Sequence, residues 1–398
     1  MLPVNNAKKA KPGLANQVVT ALQQALGAGP ASLHEPCLSE LEQNYLQQCL
    51  ASGFVSSVGP FVDQFESDLA AFTGARHAVA MVNGTAALQV ALQLAGVGPG
   101  DEVVVPALSF VATANAVHYL GATPLFADSN EGTLGLDPEA LRNWLASHTE
   151  RTESGTHNRQ TGRPIRAIVP MHTFGHPCDI QGVLAVAHDF GLAVVEDAAE
   201  SLGSLYLGRH TGTFGRLGAL SFNGNKIVTT GGGGAILTND PALAAKAKHL
   251  TTTAKLPHRW AYDHDQIGYN FRMPNLNAAL GCAQLKKLPD FLASKRRLTS
   301  EYAKGFRPLA ESGQAQLMQE PPGCTSNYWL QTLVLHASVS SERDAVLEAT
   351  NNAGFSTRPA WRLLHELGPY KQSPRTPLPV AESLAARIIN LPSSAGLA

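Results

Sequence analysis

From His77 onward the chain alternates short apolar runs with helical stretches, and this alternation limits the folds open to it more than any other feature. His77–Val82, Glu102–Ala107 and Thr123–Asp128 read as buried strands. An apolar helix stopped by Gly96, a helix through Ala112–Tyr119 and a helix start after Asp137-Pro138 lie between and after them. Arg166–Thr173 and Leu192–Ala199 repeat the pattern around a helix at Ile180–Phe190, and Ala219–Phe222 and Gly234–Asn239 complete the set. Strands this apolar are covered on both faces, which predicts a mostly parallel sheet between helices. Ligands of such sheets bind beyond the carboxyl ends of the strands. The polar stretch 148–164 reads as an excursion or loop, outside the core.

The flanks read differently. Ser39 and Glu42 form a capping box, so a helix is expected from there to about Leu50. The opening MLPVNNAKKAKPG has lysines but no apolar stretch behind them, which predicts a short flexible arm and no signal peptide. After Leu288, charged helical stretches lead into a mixed tail. Three regions are expected: an N-terminal arm and helix (1–54), a large α/β domain (55–288) and a small C-terminal α+β domain (289–398). No apolar run approaches the ~18 residues of a membrane span. A formal charge of −1 argues against a nucleic-acid binder that relies on bulk attraction to phosphate. The five cysteines are scattered without a CxxC pair, so neither a zinc site nor a disulfide framework is expected, and a reducing cytoplasm is.

Three local patterns carry chemistry. In SFNGNKIVTTGGGGAI, Lys226 follows a strand end among small residues, where an amine can be desolvated for Schiff-base chemistry. Taken alone, a solvated loop lysine is the commoner reading. The run Gly231–Gly234 permits close backbone approach to a ligand, but the order GxxxxGK[ST] of a nucleotide loop is absent. In VVEDAAES, Asp197 ends an apolar strand, where a carboxylate needs a cationic partner such as a protonated pyridine nitrogen; a cap on the next turn is the plainer alternative. In NGTAAL, Gly84 and Thr85 sit at a strand-to-helix turn, whose amides and dipole suit a phosphate.

The turn, the aspartate and the lysine occur in that order. Together with VGPFVDQFE, PALSFVATANAV, HTFGH, SFNGNK and GYNFRMPN, they resemble the DegT/DnrJ/EryC1/StrS family of sugar aminotransferases. The resemblance runs from about Ser56 to Gly305 and more loosely to the C-terminus. It implies the pyridoxal 5'-phosphate (PLP) dependent transferase fold of type I, like aspartate aminotransferase. It also implies roles: Lys226 as the Schiff-base lysine, Asp197 facing the pyridine nitrogen, and Gly84, Thr85 and Ser221 on the phosphate. Phe110 would stack on one ring face and Ala199 lie against the other. Glu200 would stand beside the phenolic oxygen, where many members carry Gln or His; two anionic oxygens there repel unless one is protonated. Asn270 would reach the phosphate held by a neighbouring subunit, implying a homodimer with shared sites, and His172 would line the site.

Finer stretches, HTGTFGRLGALSFNGNKIVTTGGGG, LTTTAK and GYNFRMPNLNAALGCAQL, resemble the LegC-like branch. That implies amination, with glutamate as donor, at C4 of UDP-4-keto-6-deoxy-N-acetylglucosamine on routes to bacillosamine or legionaminic-type sugars. Lys255, His258, Arg259 and Arg358 are candidates for the nucleotide diphosphate, each with solvated surface charge as the alternative. GDP- or dTDP-linked keto sugars are the next reading. A sugar dehydratase on the same fold has histidine in place of the lysine, a non-catalytic PLP sensor or scaffold has no need of a complete site, and an NAD enzyme needs a GxGxxG that is missing.

Overall fold

The computed structural model describes residues 13–398. The expected N-terminal arm lies almost wholly outside the described residues. The large sheet has nine strands: β1 (His77–Met81), β2 (Glu102–Pro106), β3 (Thr123–Ala127), β4 (Thr149–Thr152), β5 (Gly155–Asn158), β6 (Pro164–Ile168), β7 (Ala193–Asp197), β8 (Leu217–Ser221) and β9 (Gly234–Thr238). Its order is β1-β9-β8-β7-β6-β2-β3, parallel from β8 to β3. Only β9 in that path runs antiparallel, between β1 and β8. Every residue of β2 and β9 is buried, as expected for strands covered on both faces. The parallel strands end along one edge, and that edge carries the site.

The stretch 148–164 is not a plain loop. β4 and β5 form an antiparallel hairpin that pairs through β5 with the start of β6. Its polar composition hid it: Thr156 and Asn158 are buried, but the Thr156 hydroxyl donates to Phe190 O, and the Asn158 amide donates to Glu102 Oε2 at 2.8 Å. Polar side chains here satisfy buried partners, so an apolar signal was never required.

Beyond the sheet, the capping box is formed: the Ser39 amide donates to Glu42 Oε2 at 2.7 Å at the head of helix Glu40–Ser52. Helix Leu14–Leu26 precedes it. Its buried Leu14, Val18 and Leu22 pack on Leu298, Tyr302 and Phe306. The same cluster includes residues of a four-stranded antiparallel sheet, β10 (Ala315–Leu317), β11 (Gln331–Leu335), β12 (Arg358–Pro359) and β13 (Ile388–Leu391), ordered β10-β11-β13-β12. So the first helix joins the C-terminal core rather than forming part of an arm. The expected boundary at residue 288 falls inside one helix, Asn275–Glu311. The change of composition there is real, but it marks where the helix passes from one core to the other, from Leu288 to Leu298.

Candidate active site

β1 leads into the turn at Asn83, whose side chain accepts the Ala86 amide at 2.8 Å and caps helix Gly84–Leu94. With that amide satisfied, the first amides of the helix, at Gly84 and Thr85, border a cavity of about 330 Å³. Ser221, the last residue of β8, lies against the turn so closely that a Cβ on Gly84 would stand 2.7 Å from Ser221 Cβ. Only glycine lets these two elements converge around a small anion.

Asp197 ends β7 in the same cavity. Its Oδ2 accepts the Thr113 hydroxyl at 2.7 Å and its Oδ1 the Ala199 amide at 3.2 Å. Burial pushes its pKa up, against the pull of those hydrogen bonds and of the Lys226 charge. A carboxylate held in a buried socket and aimed at open space fits a cationic ring nitrogen, which would complete its charge balance.

Lys226 follows β8 through the turn 222–225, with its amide donating to Asn223 O at 3.0 Å. Its Nζ stands 3.3 Å from Glu200 Oε1 and 3.8 Å from the centroid of the Trp329 ring. The ring is itself fixed: Trp329 Nε1 donates to Asn225 O at 2.7 Å, its amide donates to Asn327 Oδ1 at 2.8 Å, and its carbonyl accepts from Lys295 Nζ at 3.2 Å. Glu200 Oε2 accepts the Phe174 amide at 2.9 Å. Phe174 lies in the HTFG turn with φ 56°, a left-handed conformation that turns this N–H toward the site. Burial lifts Glu200 to a pKa of about 7, although the Lys226 charge and the Phe174 amide pull it down.

The open side of the cavity is aromatic. Phe110 is half exposed, 6.2 Å from the Trp361 ring, which in turn meets Phe174 at 4.7 Å. The cavity thus unites Gly84, Thr85, Phe110, Asp197, Ala199, Glu200, Ser221 and Lys226 from the sequence reading. It adds Trp329 and Trp361, which no local pattern announced.

His172 does not line it. The residue is fully buried: Nε2–H donates to Glu196 Oε2 at 3.1 Å and Nδ1 accepts the Cys178 amide at 3.2 Å. Its neighbour Glu196 precedes Asp197 on β7 and, by strand alternation, faces the other way, where the Gly212, Phe214 and Gly215 amides also bind it. His172 therefore braces the HTFG turn from behind. Lys255, His258 and Arg259 also lie outside the cavity, in an exposed loop: Lys255 Nζ sits 3.9 Å over the Tyr262 ring, Arg259 5.5 Å from the Trp260 ring, and His258 Nδ1 accepts the Ala261 amide at 2.9 Å. Arg358 donates to Asn351 Oδ1 at 3.1 Å on the edge strand β12. Asn270 is exposed and bridges to Thr252, away from this chain's own cavity.

Residues 36–398 match the DegT/DnrJ/EryC1/StrS aminotransferase family. A GDP-perosamine synthase of Caulobacter vibrioides is 38% identical over 92% of this chain and 94% of its own. Another from Escherichia coli O157:H7 is 35% identical over 91% of this chain and 92% of its own. Among solved structures, the aminotransferase TlmJ of Streptoalloteichus hindustanus superposes with a TM-score of 0.83 at 30% identity, covering 93% of this chain and 95% of that one. The relatives named for GDP-perosamine do not single out the LegC-like branch. With this cavity and these relatives, the chain belongs to the DegT/DnrJ/EryC1/StrS aminotransferase family and is a PLP-dependent nucleotide-sugar aminotransferase.

Proposed function

We propose that this chain transfers an amino group from glutamate to the C4 keto group of a GDP-linked 4-keto-6-deoxy hexose. The observation that carries the chemistry is the convergence of Lys226, Asp197, Ser221 and the Gly84 helix start on one cavity. Pyridoxal phosphate, when bound, supplies an electron sink for the carbanion at the reacting carbon. Asp197 keeps the ring nitrogen charged, and Thr113 holds Asp197 in place. Ser221 and the amides of Gly84 and Thr85 grip the phosphate, so the cofactor stays while Lys226 is detached. Lys226 Nζ serves as base and then acid, moving one proton during each half-reaction. Phe110, Trp361 and Trp329 give the cavity an aromatic lining beside that amine.

The choice of nucleotide follows the relatives, whose names support GDP over the UDP-linked compound suggested by the LegC-like resemblance. A relative of Acidithiobacillus ferrooxidans, 33% identical over 82% of this chain, is named for UDP-N-acetyl-3-dehydro-glucosamine and supports keeping UDP as the second reading. The test is mass spectrometry of products after incubation with glutamate and GDP-, UDP- and dTDP-linked 4-keto-6-deoxy sugars. The GDP compound should show the highest kcat/KM; a higher value for UDP-4-keto-6-deoxy-N-acetylglucosamine would restore the LegC-like reading.

The working unit in this proposal is a homodimer. Trp260, Tyr262 and Ile267 are 72%, 78% and 88% exposed on the loop that carries Lys255, His258 and Arg259, just before Asn270. Such a cluster suits burial against a second copy, which would carry Asn270 and these cations to the partner's cavity. Mixing inactive Lys226→Ala chains with an inactive Asn270 variant should restore part of the activity, since one site in each mixed dimer then carries neither lesion. Demonstrated mixed dimers without recovery would remove the shared site. Among the described residues no helix is long and apolar enough to cross a membrane. The five cysteines are free thiols, which supports a cytoplasmic setting.

A further inference from the structure

We propose that Glu200 is the residue that takes the proton from Lys226 when its amine becomes a nucleophile. This rests on the pyridoxal phosphate reading of the site and assigns a role within it.

The geometry leaves few other partners. Glu200 is 3% exposed, and its two oxygens are divided between two tasks. Oε2 is occupied by the Phe174 amide, so Oε1 is directed at Lys226 Nζ, 3.3 Å away. The Trp329 ring covers another side of the same amine at 3.8 Å. The ring is clamped at its indole nitrogen, its amide and its carbonyl, so it cannot yield easily to solvent. Among the described residues, the carboxylate within hydrogen-bond reach of an ammonium in this seat is Glu200, through Oε1.

The step balances without a further reactant. An N–H bond of the Lys226 ammonium breaks, its electron pair stays on Nζ, and an O–H bond forms on Oε1. A buried ion pair becomes a buried neutral pair, which removes two desolvation penalties at once. The charged groups acting on Glu200 are Lys226, which favours its carboxylate, and Asp197, which opposes it. Without the Lys226 charge, burial and Asp197 would favour the protonated carboxyl, and the Phe174 amide alone would still draw it the other way. Glu200 then retains the proton, and a neutral carboxyl can stand beside an anionic oxygen without repulsion. The glutamate that looks out of place next to a phenolic oxygen is thereby accommodated. Burial brings Glu200 to a pKa of about 7, so at neutral pH part of it is carboxylate and able to accept a proton.

The experiment follows covalent attachment of pyridoxal phosphate to Lys226 by stopped-flow absorbance, comparing the full-length wild type with Glu200→Gln from about pH 5.5 to about pH 8.5. The wild-type rate divided by the variant rate should rise from near unity at the acid end to roughly tenfold or more at the alkaline end, with its midpoint near 7. Glu200→Asp, which keeps the acid but draws it back by one methylene, should keep the inflection at a reduced rate. Independently of any cofactor, infrared difference spectra of the cofactor-free wild type should show a protonated-carboxyl band lost as pH rises through 7 and missing from Glu200→Gln. Normal attachment with a pH-independent ratio overturns the proposal and leaves the cofactor assignment intact. So does an infrared spectrum without that band. A wild-type chain that never attaches the cofactor overturns both.

Discussion

Replacing Gly84 by alanine tests the closeness of the phosphate turn. The added Cβ would stand 2.7 Å from Ser221 Cβ, 3.1 Å from Ser221 Oγ and 3.3 Å from Leu220 O. Carbon atoms in contact rest about 3.5–4.0 Å apart, so the turn and the end of β8 must separate by roughly 1 Å. Overpacking of this kind costs about 1–3 kcal/mol. Alanine's better helix propensity returns up to about 1 kcal/mol, so the net loss of stability is about 0–3 kcal/mol. Binding should suffer more than folding. A 1 Å displacement of the Gly84 amide, or of the Ser221 hydroxyl, removes about one hydrogen bond to a charged group, worth about 1.5–3 kcal/mol. That corresponds to a Kd for pyridoxal phosphate about 10- to 150-fold weaker. Fluorescence titration of the cofactor-free variant gives the Kd, and its thermal melt reports the fold. A Kd within about twofold of wild type, with an unchanged melt, would refute the claim that the close approach shapes the phosphate site.

Other perturbations address the remaining groups. Lys226→Ala should still bind pyridoxal phosphate but show no borohydride-sensitive absorption band and no turnover; a retained rate would sink the assignment. Asp197→Ala should lower kcat by orders of magnitude with the lysine bond still formed, and Thr113→Val should lower it less, by about 10-fold if the hydrogen bond is worth the usual 1.5 kcal/mol for a charged acceptor. Nearly full activity in Asp197→Ala would make that residue a structural cap. Glu42 gives a pH test of the fold: burial alone would raise its pKa, but hydrogen bonds from Ser39, Lys287 and Gln284 bring it to about 2. A depressed carboxyl stabilises the fold above its unfolded value and loses that contribution as pH falls from 4.5 toward 2. Melting temperature should therefore drop more steeply across that window in wild type than in Glu42→Gln, and parallel curves would contradict the reading.

How far the sequence could be read depended on where each signal sits. Asp197 and Lys226 stand where apolar runs stop, so the strand ends pointed to them, while Ser221 was legible only through the resemblance, which also gave the other two their roles. Trp329 and Trp361 reach the same cavity from more distant segments, and a tryptophan in NYWLQ or PAWRL looks like any core residue. A turn next to a strand end has two faces, and the Glu196 contact shows which one His172 occupies. The hairpin 149–158 carried no apolar run to find. The helix Leu14–Leu26 carries its signal as spaced apolar residues, Leu14, Val18 and Leu22, directly behind a polar opening. The substrate remained least legible, because the cations proposed for it lie outside the cavity of their own chain.

The 37-residue helix Asn275–Glu311 has a mechanical consequence. At about 1.5 Å per residue it is a rod of roughly 55 Å. Its first turns are tied to the glycine run, since Asn277 donates to the carbonyls of Thr230 at 2.7 Å and Gly232 at 3.1 Å. Farther along, Lys295 holds the carbonyls of Trp329 and Ser393, and Tyr302 donates to Pro392 O at 2.8 Å. A spar fastened in this way couples the glycine run beside the site to the C-terminal core, and Pro289, between the two sets of fastenings, is where its own hydrogen-bond ladder is interrupted.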